Sequence, residues 1–179
     1  MDDWRLRVSL ERVIELPGAQ LRLRDWPGLG GPLIHVPDPL SPDAALVERL
    51  ADTLTPQYRV MSVAARGASA YQVDAADLLA TLDVFGFAAP VVVGERLGCV
   101  AALLHAAWYP GRVAGLVLVE PAYEPPASDG VLGRAMRDCP PDWTSLRGAI
   151  ECPVLVLAEP PAVLEDLQRF LTQLGPGVI

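Results

Sequence analysis

At 179 residues, with 51% hydrophobic and 20% charged side chains, the chain has the make-up of one folded domain and not of a disordered segment. Its net charge of −8 argues against anionic partners, so neither nucleic acid nor membrane is expected to bind it. No apolar run reaches the roughly 18 residues of a spanning helix, and Met1–Arg5 carries acid where a secretion leader needs basic, then apolar residues, so a cytoplasmic protein is expected.

Every basic residue is arginine; lysine and asparagine are absent. Both missing types have AT-rich codons, which points to a GC-rich bacterial genome. Without lysine there is no Schiff-base chemistry. Cys99, Cys139 and Cys152 lack metal-ligand spacing and read as reduced thiols. No metal or cofactor is implied.

Residues 4–16 partly alternate apolar and polar, Pro17-Gly18 signals a turn, and Leu21, Leu23 and Asp25 alternate again, which predicts an N-terminal antiparallel hairpin. Pro27–Pro32 is a glycine-rich linker without a phosphate-binding pattern. Short apolar strands are predicted at Leu33–Val36, Tyr58–Val63, Val91–Val93, Leu116–Glu120 and Val154–Ala158. Helices are predicted at Asp43–Thr53, Gln72–Phe85, Leu97–Trp108 and Val163–Leu174. Strands that are apolar throughout and alternate with helices form a parallel sheet covered on both faces.

One run stands out. Val91-Val92-Val93-Gly94-Glu95-Arg96-Leu97-Gly98 is a buried strand turning sharply into a helix, with glycines two residues either side of the apex. That is the spacing of a G-x-S-x-G nucleophile elbow. The apex is Arg96, whose protonated guanidinium has no electron pair to attack with.

Six segments in order resemble the α/β-hydrolase superfamily. Leu21–Trp26 is similar to its second strand and Pro32–Pro37 to its L-L-H-G-x-P strand and oxyanion loop. Tyr58–Gly67 resembles Y-R-V-x-x-x-D-x-R-G, and Val93–Gly98 resembles V-G-H-S-x-G. Tyr109–Leu118 resembles H-P-x-R-V-x-x-L-V-L, and Cys152–Ala158 the strand before the catalytic acid. The resemblance implies a three-layer α/β fold. In it a mostly parallel sheet carries helices on both faces behind an N-terminal β-hairpin, as one domain over 1–179. Residues 121–150 would form a short excursion in place of a lid.

The departures from the family pattern bear on function. Arg96 takes the nucleophile position, Val36 the glycine position of the oxyanion loop and Ala64 a frequent Asp position, while Glu159-Pro160-Pro161 replaces G-x-x-D. The chain stops at Ile179, ahead of the family's catalytic His, as in a degenerate, C-terminally truncated member. The histidines offer no replacement base: His35 sits in the oxyanion loop, where a structural hydrogen bond is expected, and His105 lies mid-helix in an apolar setting. Cys99 reads as a small buried thiol. The serines, Ser62 among them, have no elbow.

The expected protein is therefore a catalytically inactive relative acting as a binding or interaction module. Its vestigial site comprises Arg96, Glu95, His35, Val36, Glu120 and Glu159. Arg96 is expected to pair with Glu120 or Glu159 and plug the site, because an unpaired guanidinium in a dry cleft is costly. The alternative is a divergent, esterase-like hydrolase with an unrecognised nucleophile, or with a site completed by a dimer partner. A third reading has Arg96 gripping a small anionic ligand. A homodimer is expected, because strand Val154–Ala158 would end the sheet and an unpaired apolar edge invites pairing.

Overall fold

A computed structural model describes residues 8–40, 44–64, 71–121, 146, 148–157 and 163–175. The chain opens with the predicted hairpin, strands β1 (Leu10–Leu16) and β2 (Ala19–Trp26). They pair antiparallel across Pro17-Gly18, where Gly18 adopts φ 78°. The Trp4–Arg7 part of the predicted first strand lies outside the described residues. Then follow β3 (Pro32–Val36), α1 (Ala45–Leu54), β4 (Arg59–Val63), α2 (Tyr71–Phe85), β5 (Val91–Glu95), α3 (Gly98–Trp108), β6 (Gly115–Val119), β7 (Val154–Leu157) and α4 (Val163–Leu174). Each predicted strand and helix is present, with ends shifted by one or two residues. The excursion expected at 121–150 lies largely outside the described residues.

The strands form one sheet in the order β1-β2-β4-β3-β5-β6-β7. β2 joins β4 antiparallel, and every pairing from β4 to β7 is parallel. Strand alternation sends the side chains into two cores. Leu23, Ile34, Met61, Val92 and Leu116 face α2 and α3. Trp26, Leu33, Val60, Val93 and Val117 face α1 and α4. Burial of such a side chain contributes about 1.5–3 kcal/mol, so these two layers dominate the stability. α3 is buried from Gly98 through Ala106, in keeping with its nearly unbroken apolar sequence. α4 buries Leu167, Phe170 and Leu171, packs the half-buried Leu164 and Leu174 beside them, and leaves a solvated face.

Two consequences position the site. β5, β6 and β7 are neighbours, so the loops after their C-terminal ends share one edge of the sheet. β3 lies on the other side of β5 with Val36 opposite Gly94, which brings the loop after β3 to the start of α3.

Candidate functional site

The turn from β5 into α3 keeps the backbone of a nucleophile elbow. Arg96 has φ 49°, a left-handed conformation that costs a side-chain-bearing residue about 1–2 kcal/mol. Its N–H donates to the Val119 carbonyl at 2.8 Å. A methyl group on Gly94 would lie 2.7 Å from Cys99 Cα, and one on Gly98 would lie 2.2 Å from the Val36 carbonyl oxygen. Only glycine lets α3 close this tightly on β5 and β3.

The apex side chain is held by carboxylates. Arg96 Nε donates to Asp38 Oδ2 at 3.0 Å, and Nη1 reaches Glu120 Oε2 at 3.5 Å. Asp38 is buried, and its other oxygen accepts the Leu40 N–H at 3.0 Å. The Arg96 side chain remains 52% exposed, so it lies across the end of the sheet with one side in water. The partner expected at Glu120 is in reach, Glu159 lies outside the described residues, and the nearer partner is Asp38. Asp38 carries no local sequence signal; the β3–β5 register brings Pro37-Asp38 beside the elbow once Val36 stands opposite Gly94.

The carbonyl oxygens of Val36 and Pro37 press on Gly98, so the loop after β3 packs closely against the start of α3. The cavity beside them, lined by Val36, Pro37, Gly98 and Ala101, holds about 20 Å³, room for one water.

His35 and Glu95 do not join the Arg96 cluster. They form a row with Ser62 across β4, β3 and β5. His35 Nδ1 lies 3.0 Å from Ser62 Oγ, and Nε2 lies 3.0 Å from Glu95 Oε2. A carboxylate only accepts, so Nε2 carries the proton, and in the neutral ring Nδ1 accepts from the Ser62 hydroxyl. His35 and Ser62 line part of a separate cleft of about 220 Å³ on the α1 side of the sheet.

The remaining nucleophile candidate is inert. Burial pushes the Cys99 thiol up to about 12, and its sulfur sits 3.7 Å from the Val119 carbonyl. His105, fully buried, donates from Nδ1 to the Ala75 carbonyl at 3.1 Å, and its Nε2 has no partner among the described residues. Among the described residues no His, Cys, Asp or Glu cluster could hold a metal, and no helix is long and apolar enough to cross a membrane.

Neither a protein-family model nor a curated protein sequence matches the chain. Solved structures do. A membrane phospholipase A, described as a bacterial virulence factor, superposes with a TM-score of 0.68 at 14% identity, over 95% of this chain and 88% of that one. A Pseudomonas aeruginosa protein described as an epoxide hydrolase gives a TM-score of 0.69 at 16% identity, over 96% and 98% of the two chains. Epoxide Hydrolase A from Mycobacterium thermoresistibile gives 0.54 at 26% identity, over 63% of this chain and 39% of that one. Together with the sheet order and the strained elbow, these matches define the fold: this is an α/β-hydrolase-fold protein, with arginine at the apex of its elbow.

Proposed function

We propose that the elbow centre is non-catalytic and that the protein acts as a binding or interaction module on a hydrolase frame. The observation that carries this reading is Arg96 at φ 49°, tied to Asp38 and Glu120 in the place of a nucleophile. A supporting feature is the adjacent cavity, which has room for about one water. A general base is typically worth about 10²–10⁴-fold, and neither His35 nor His105 is bonded to the elbow apex.

The test is turnover of p-nitrophenyl esters of several chain lengths, beside a heat-denatured control. The expected result is no hydrolysis above the control. Saturable turnover that survives replacement of Ser62 and is abolished by a substitution at the elbow would overturn the reading.

A further inference from the structure

The cleft on the α1 side of the sheet is polar at its floor and charged at its rim. β2 points Arg22 and Arg24 to the same face as Trp26, and α1 covers only part of that face. Arg24 is committed: it donates to Glu48 at 3.1 Å and stacks over Trp26, 4.7 Å from the ring centre. Arg22 has no ion-pair or side-chain hydrogen-bond partner among the described residues. Glu48 matches the charge of Arg24, and Glu11 lies on the same rim as Arg22. Arg22 is the lining guanidinium left for a ligand with a single negative charge.

The floor has a defined hydrogen-bond polarity. Glu95 fixes the proton on His35 Nε2, Nδ1 of the neutral ring accepts from the Ser62 O–H, and the Ser62 oxygen is left with lone pairs only. It therefore accepts and does not donate. Val47, Ala44 and Pro37 supply apolar wall. The volume of about 220 Å³ is below the roughly 300–1,000 Å³ of drug-sized pockets and fits a small molecule.

We infer that this cleft binds a small monocarboxylate bearing a hydrogen-bond donor, with the carboxylate at Arg22 and the donor at the Ser62 oxygen. The inference rests on the binding-module reading and gives that module a site and a ligand class. His35 and Glu95 act as positioning residues that set the direction of the Ser62 hydroxyl.

The experiment is calorimetric titration of the full chain with α-hydroxyisocaproate, with isocaproate, which lacks the hydroxyl, and with the neutral methyl ester of the hydroxy acid. The hydroxy acid is expected to bind about tenfold more tightly than either control. Ser62→Ala should erase the preference over isocaproate, and Arg22→Gln should weaken both acids by about tenfold. Melting curves report whether each variant folds, and the three-ligand comparison stands on the wild type alone. Absence of saturable binding, equal affinity for the acid and its methyl ester, or a hydroxyl preference that persists in a folded Ser62→Ala would each overturn the proposal. Ester turnover at the elbow would overturn the module reading and leave this titration unchanged, so the two failures are distinguishable.

Discussion

Arg96 and Glu120 are the two non-glycine residues with positive φ among the described residues, at 49° and 46°, and they are ion-pair partners at 3.5 Å. They follow the adjacent parallel strands β5 and β6, so the strain is shared between neighbouring strand ends. Strain at a turn of this kind is kept where the surrounding packing over-determines the backbone. Here Gly94 and Gly98 impose it through the approach of α3, whatever side chain the apex carries.

The apex can be dissected by substitution. Arg96→Ala should destabilise the protein by about 1–2 kcal/mol, because it leaves the buried Asp38 with the Leu40 N–H as its remaining donor among the described residues. The half-exposed guanidinium keeps the figure modest. Arg96→Gly should be more stable than Arg96→Ala by about 1 kcal/mol, since glycine takes the left-handed conformation without a steric penalty. Urea denaturation of the three proteins checks both orders.

The glycines give a sharper contrast. Gly94→Ala and Gly98→Ala should each cost about 3 kcal/mol, the upper range for overpacking, because the new methyl group meets backbone atoms that cannot rotate away. Gly148→Ala, where a methyl group would meet nothing within 4 Å, should stay within about 0.5 kcal/mol. Thermal melts of the three variants decide this.

His105 should make stability depend on pH. Burial lowers its pKa from 6.5, outweighing the Ala75 hydrogen bond that raises it, and the Arg112 charge lowers it further. A group depressed in the folded state contributes its full stability above the unfolded pKa and loses it as pH falls. Unfolding free energy should therefore drop as pH goes below about 6.5. His105→Leu should flatten the dependence between about pH 7 and pH 5. Denaturation at both pH values, with and without the substitution, measures it.

Asp25 ties the hairpin to the sheet. Its carboxylate is fully buried and accepts from Arg59 Nη2 at 2.7 Å and from Arg12 Nε at 2.6 Å. Burial pushes its pKa up, but the hydrogen bonds from Arg59 and Arg12 prevail and hold it below the ordinary value. The stability it supplies is present above the unfolded pKa of 3.8 and is lost as pH falls below it. Asp25→Ala should cost about 1.5–3 kcal/mol by leaving the part-exposed guanidiniums of Arg12 and Arg59, which lie over Phe85 and Phe87, without their carboxylate. Equilibrium unfolding at neutral pH is the check.

Much of this molecule was legible as sequence. Local patterning placed the seven strands and four helices seen among the described residues, because apolar alternation and strand-length apolar runs register directly in burial. The elbow was legible from Gly94 and Gly98, whose spacing reflects a steric need internal to one turn. The adjacency of Arg96 and Glu120 followed from the neighbouring strands β5 and β6. Three relationships required the tertiary structure. Asp38 became the nearer partner of Arg96 because β3 packs beside β5 in a particular register. Ser62, His35 and Glu95 met because three strands, far apart in sequence, align those positions across one face. Asp25 acquired Arg12 from one strand and Arg59 from another. Periodicity fixes which face a residue takes. Only the order and register of the strands fix what it meets there, and those are set by the packing of the whole chain.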